Sequence, residues 1–254
     1  MLTLVTIPCL SDNYAFLLHD EASGETALID APEAAPIIAE LRAREWSLSQ
    51  IWLTHHHWDH VEGVGDLVKA TGAKLVGAAA DVHRLPKLDR TYADGDSFQF
   101  AGHDVHVMDV SGHTIGHIAF HVPDAGTVFT GDSLMALGCG RLFEGAPDQM
   151  WNSLTRLSAL PSDTLICSGH EYTASNAAFA TTIESNNKAL KKRIDDITDL
   201  RAAGQPTVPS RLSDELETNP FLRAHLPEVK AALHMNAARD VEVFAEIRRR
   251  KDSF

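Results

Sequence analysis

Up to about residue 170 the chain alternates short apolar, β-branched runs with turn signals. "TLVTIP", "ETALID", "QIWLT", "AKLVGA", "HDVHVMDV", "HIAFHV", "GTVFT" and "DTLICS" each read as a strand bounded by glycine, proline or polar clusters. Helical spacing interrupts them at 32–43, 63–70 and 147–157. This mixture predicts sheets with helices packed outside them and argues against an all-β barrel. Beyond Glu171 the strand signals stop, and "TASNAAFATTIESNN", "KALKKRIDDITDLRAAG" and "DVEVFAEIRRRKD" read as helices. The last has an apolar stripe of Val243, Phe244 and Ile247. "QPTVPS" and "ETNPF" read as extended or turn-like connectors, because a proline disfavours helix in the residue before it. The pattern shift divides the chain into an α+β domain, 1–172, and a smaller α-helical domain, 173–254.

The length of 254 residues is enough to bury a sizeable core without staples. Lysine and arginine number 22 against 35 aspartates and glutamates, a net charge of -13 that repels phosphate backbones and anionic lipid faces. Neither nucleic acid nor a membrane is therefore an expected partner. No run reaches the roughly 20 apolar residues of a membrane span, and "MLTLVTIPCL" lacks the basic head and cleavage site of a signal peptide. A cytoplasmic protein is expected. Cys9, Cys139 and Cys167 are odd in number and far apart, which fits reduced thiols better than a disulfide framework.

The candidate chemistry gathers just beyond the C-terminal ends of predicted strands. "QIWLT" runs into His55-His56-His57-Trp58-Asp59-His60, "HVMDV" into Ser111-Gly112-His113, "TVFT" into Gly131-Asp132, and "TLICS" into Gly169-His170. Loops at strand ends, held by a rigid scaffold, are where binding and catalytic groups tend to sit. In an extended segment His55 and His57 project the same way and His56 elsewhere, so His56 is not expected to be a ligand. Imidazoles with carboxylates suit zinc, iron or manganese, while the absence of clustered thiols argues against a structural cysteine-type zinc site. His55, His57 and His113 make one set and Asp59, His60 and His170 another. Asp132 is left as a carboxylate able to bridge two ions roughly 3.5–4 Å apart. The remaining histidines, His117 and His121 among them, read as structural or surface residues.

"THHHWDH", "GHTIGH", "TGDSL" and "SGHEYT", in this order and spacing, resemble the metallo-β-lactamase superfamily. "IPCLSDNYAFLLHD", "GCGRLFEG", "NPFLR" and "RRRKD" extend the resemblance over nearly the whole chain, to the hydroxyacylglutathione hydrolase, or glyoxalase II, family. The resemblance implies an αββα sandwich followed by a helical domain that helps to hold glutathione. It implies two divalent metal ions per chain, zinc first with iron or manganese as alternatives, held by the same seven ligands, with Asp59 and Asp132 also acting in catalysis. The reaction implied is hydrolysis of S-D-lactoylglutathione and other S-(2-hydroxyacyl)glutathiones to D-lactate and glutathione by a metal-activated water, within methylglyoxal detoxification. Tyr172, Arg141, Arg248 and Lys251 map to glutathione contacts, the last two sharing a helix face by their three-residue spacing. Phe143 stands where some relatives have tyrosine, so it is at most a packing contact. A monomer is expected from the family. Rival readings are a persulfide dioxygenase using one iron on the same scaffold, another hydrolase of the metallo-β-lactamase fold, a non-catalytic metal-binding module, and a thiol nucleophile at Cys139 or Cys167.

Overall fold

All eight sequence-predicted strands form in the computed structural model, which describes residues 1–254. The chain divides into two units by its contacts, Met1–Asp109 with Ile115–Gly131, and Val110–Thr114 with Asp132–Phe254. The first unit contains β1 (Leu2–Cys9), β2 (Asn13–Asp20), β3 (Glu25–Ile29), α1 (Ala34–Arg44), β4 (Ser47–Trp52), α2 (Trp58–Val61) and α3 (Val64–Thr71). It continues through β5 (Lys74–Ala78), β6 (Arg90–Tyr92), β7 (Ser97–Phe100), β8 (His103–Asp109), β9 (Ile118–Val122) and β10 (Thr127–Gly131).

One sheet of this unit runs β1-β2-β3-β4-β5-β6, antiparallel as far as β3 and parallel from there on. Parallel neighbours need crossovers, which α1 and α3 supply on either side of β4. The run β10-β9-β8-β7 is antiparallel throughout. Trp52, fully buried at the end of β4, joins the two layers: its ring lies 5.2 Å from Phe98, 5.4 Å from both Phe100 and Phe120, and 6.5 Å from Phe129. Burying such side chains contributes about 1.5–3 kcal/mol each, so the end of β4 is a rigid point from which the next residues depart. β2 escapes a reading by period because every one of its residues is buried, its polar Asn13, His19 and Asp20 included.

The second unit contains β11 (Leu134–Met135), β12 (Gly138–Cys139), α4 (Pro147–Ser158), β13 (Leu165–Ser168), α5 (Thr173–Ile183) and α6 (Lys188–Ala202). After these come β14 (Ser210–Arg211), α7 (Leu212–Thr218), α8 (Pro227–Ala232) and α9 (Asp240–Asp252). Asn187 caps α6 by accepting from the Leu190 amide at 3.1 Å. Arg249, Arg250 and Lys251 place positive charge at the C-terminal end of α9, where the helix dipole favours it. The expectation that strands end at Glu171 needs correction: Ser210 and Arg211 pair antiparallel with Ile166 and Leu165. Two residues are too few to leave a period in the sequence. α7 and α8 are likewise too short for the sequence pattern to reveal. No helix is long and apolar enough to cross a membrane.

Candidate metal centre and active site

Beyond Trp52 the chain leaves the sheet, and Leu53 still donates to the Val76 carbonyl at 2.8 Å. Thr54 then donates through its amide to Asp30 Oδ1 and through its hydroxyl to Asp30 Oδ2, both at 2.8 Å. Extended backbone at His57 (φ -59°, ψ 143°) turns directly into α2, so Asp59 and His60 lie in a single helical turn. His55 and His60 are fully buried, with ring centroids 4.2 Å apart, and His57 lies 4.8 Å from His55. The same Asp30 Oδ2 also lies 2.8 Å from His60 Nδ1, while His55 Nδ1 lies 3.0 Å from the Thr54 hydroxyl. Asn13 donates to Asp59 Oδ2 at 3.1 Å. The three donor atoms of Asp30, His55 and His60 lie within 4.8 Å of one another.

His56 points elsewhere, with Nδ1 2.9 Å from Asp81 Oδ2, and Arg84 pairs with the other oxygen of that carboxylate. His117 stacks on His55 at 4.5 Å. Gly131, at φ +47°, closes this part of the unit: a Cβ there would collide with the Thr54 hydroxyl and lie 2.9 Å from His117.

In the second unit one carboxylate oxygen serves two imidazoles. Asp132 Oδ2 lies 3.5 Å from His113 Nε2 and 3.2 Å from His170 Nε2, and all three residues are buried. His113 is oriented from behind, with Nδ1 2.8 Å from the Arg141 carbonyl oxygen. Tyr172 stacks on His170 with centroids 4.6 Å apart and the planes 7° from parallel; Phe143 meets His113 edge-on at 5.3 Å. Tyr172 is 40% exposed and Phe143 62% exposed.

The basic residues form a separate arrangement in the same unit. Asp252 Oδ1 accepts from Arg141 Nε at 3.3 Å and Arg248 Nη2 at 2.9 Å, so one carboxylate joins both guanidinium groups. Arg248 is buried over the Phe221 ring and also donates to the Cys139 carbonyl at 2.8 Å. Lys251 bonds Ser175 Oγ at 3.2 Å and lies over the rings of Phe179 and Phe254. Burial, and then the charge of Arg248, lower its pKa below the usual lysine value.

The thiols are poor nucleophiles. None of the three cysteines forms a disulfide, and all three are buried. Burial pushes Cys139 up to about 11, and it raises Cys167 as well, so neither is a thiolate near neutrality.

Two residues were not singled out from the sequence, Asp30 and Asn13. Asp30 ends the run "ETALID" and obeys the same rule of position as the other clusters, which could have found it. Its oxygens are committed to Thr54 and His60, so it orients a donor rather than serving as one. A carboxylate that holds the Nδ1 proton of a histidine fixes the tautomer in which Nε2 carries the lone pair, an arrangement that accompanies metal-bound histidines. The donors are imidazoles and carboxylates without thiolates, which suits a divalent metal ion.

Comparison with known proteins agrees with this chemistry. Residues 11–170 match the model of the metallo-beta-lactamase superfamily, and residues 171–254 match that of the hydroxyacylglutathione hydrolase C-terminus. A hydroxyacylglutathione hydrolase from Cereibacter sphaeroides is 63% identical over 253 residues, covering 100% of this chain and 99% of the relative. The BLEG-1 B3 metallo-beta-lactamase shares the fold, with a TM-score of 0.66 at 19% identity over 87% of this chain and 99% of its own. TTHA1623, solved in a di-iron-bound form, aligns with a TM-score of 0.56 at 29% identity over 66% of this chain and 91% of its own. The chain belongs to the hydroxyacylglutathione hydrolase family of the metallo-β-lactamase superfamily.

Proposed function

We propose that this protein hydrolyses glutathione thioesters, S-D-lactoylglutathione and related S-(2-hydroxyacyl)glutathiones, to the hydroxy acid and glutathione. The observation that carries the reading is the full-length likeness to a hydroxyacylglutathione hydrolase. His55, His57 and His113 would hold one ion and Asp59, His60 and His170 a second, as the order of the motifs along the chain suggests. Asp132 would bridge them, a role supported by its single oxygen facing two imidazoles. Zinc is the first choice, with iron and manganese served by the same donors. When bound, such a pair supplies a water of lowered pKa and polarises the thioester carbonyl.

The chain's own groups do the rest. Asp30 and the Arg141 carbonyl hold the Nδ1 protons of His60 and His113, and Asn13 steers Asp59. On a chain of net charge -13, Arg141, Arg248 and Lys251 supply the local positive charge that two glutathione carboxylates require. Arg141 and Lys251 meet the substrate, while buried Arg248 offsets the Asp252 carboxylate that it shares with Arg141 and so leaves the Arg141 charge to the substrate. Tyr172 offers its hydroxyl to the peptide part of glutathione, and Phe143, having no hydroxyl, only packs. The leaving thiolate has a conjugate acid of pKa roughly 8.5, so it departs without a dedicated proton donor. In this reading residues 1–172 carry the seven metal ligands and residues 173–254 contribute to glutathione binding. The enzyme works as a cytoplasmic monomer with its thiols reduced, away from nucleic acid and membranes. The persulfide dioxygenase alternative is not favoured, because residues 171–254 match the hydrolase model.

Loss of thioester absorbance from S-D-lactoylglutathione, on protein of counted metal content, tests the assignment. Rapid turnover is expected. Oxygen uptake with glutathione persulfide and no thioester hydrolysis would replace it with the dioxygenase.

A further inference from the structure

β11 and β12 form a hairpin that links Asp132 to Arg141, and side chains from the helices of the second unit hold its backbone. The Leu137 amide donates to Glu215 Oε2 at 2.8 Å. Asn219 Nδ2 donates to the Met135 carbonyl at 3.1 Å and the Gly138 carbonyl at 3.0 Å. Asn176 Nδ2 donates to the Ala136 carbonyl at 3.0 Å, and Arg248 takes the Cys139 carbonyl. Leu137 is left-handed at φ +56°, a backbone state that a leucine keeps only where its surroundings over-determine it. Its side chain is buried with Ala177, Ala180, Leu190 and Ile197.

Glu215 and Asn219, both fully buried, are coupled to each other: Asn219 Nδ2 also bonds Glu215 Oε2 at 3.0 Å. The other oxygen of Glu215 pairs with Arg193 of α6. The segment that leaves the hairpin runs against two proposed metal ligands. A Cβ on Gly140 would overlap the Asp132 carbonyl oxygen and lie 2.9 Å from His113 Nδ1. The next carbonyl, that of Arg141, accepts the His113 Nδ1 proton.

We propose that Glu215 and Asn219 are positioning residues: by clamping the 134–139 hairpin they fix the Arg141 carbonyl, and with it the orientation and tautomer of His113. The effect on turnover rests on the hydrolase reading above; the effect on the hairpin and on His113 does not. A role confined to folding would lower stability alone. Positioning requires a local loosening and a loss in kcat.

The test compares Asn219→Ala, which removes the side-chain amide that donates to two carbonyls, and Glu215→Gln, which keeps the shape but removes the charge facing Arg193. Val229→Ala, at a buried position of α8, is the control, since it removes buried methyl groups and none of these hydrogen bonds. Hydrogen exchange and imidazole nitrogen shifts are read on the metal-free proteins, and kcat and KM on the loaded ones. Asn219→Ala is expected to speed exchange at the 134–139 amides, to mix the His113 tautomers, and to lower kcat by about 10-fold with KM held within about twofold. Glu215→Gln should show the same pattern more weakly and carries the test if Asn219→Ala does not fold. Val229→Ala should lower the melting temperature and leave kcat within about twofold. Unchanged kcat in both clamp variants, or an equal kcat loss in the control, overturns the proposal. If the wild-type protein cleaves no thioester, the hydrolase reading fails instead. An unaltered His113 tautomer in the clamp variants would then refute the clamp on its own.

Discussion

The histidines proposed as metal donors and the Arg141 side chain are built in opposite ways. His55, His60 and His113 are buried, and each has its Nδ1 beside a fixed oxygen, from Thr54, Asp30 or the Arg141 carbonyl. The Arg141 side chain is instead 55% exposed and shares the half-open Asp252 carboxylate with Arg248. Coordination bonds demand placement to a few tenths of an ångström, whereas the attraction of a guanidinium for a carboxylate survives small displacements. Damage to the first region should therefore appear in metal content and kcat, and damage to the second in KM.

The largest expected effect is at the proposed bridge. Asp132→Ala should lose metal and turnover together, by about 10³-fold or more in kcat; retention of the full metal complement in the purified variant would remove Asp132 from the bridging role. Asp30→Asn should cost about 10–100-fold in metal affinity or activity, because an amide nitrogen can face His60 where an acceptor oxygen stood. Competition with a chelator measures it. Arg141→Ala and Lys251→Ala should each raise KM by about 10-fold, with kcat changed by less than about threefold. A loss confined to kcat in steady-state kinetics would erase the contrast between the two regions.

A pH profile sharpens the same contrast. Only protonated Lys251 attracts a carboxylate, and its pKa is lowered by burial and by Arg248. KM should therefore rise as pH climbs through that lowered value, at a pH below the ordinary 10.5 of lysine. Lys251→Arg should move the limb to higher pH. The smallest effect belongs to the thiols: Cys139→Ala with Cys167→Ala should leave kcat within about twofold, as their raised pKa values imply.

How much of this the sequence discloses depends on what each residue bonds to. The eight strands and the histidine clusters are legible because apolar runs that end in titratable residues are visible one letter at a time. Asp30 and Asn13 follow the same positional logic, but each is a lone polar residue whose partners, His60 and Asp59, lie far along the chain. Glu215 leaves no signature and Asn219 enters only as the first letter of "NPFLR", since both act on main-chain groups of Leu137, Met135 and Gly138, which every sequence has. The basic set is legible only through family resemblance, for a charged helix end such as "RRRKD" has an ordinary explanation in the helix dipole.

The most direct test of the account is to titrate zinc into metal-free protein while following S-D-lactoylglutathione hydrolysis. Activity should rise until about two ions per chain are bound and then level off. Full activity at one ion per chain would contradict the paired site, and with it the bridging role of Asp132.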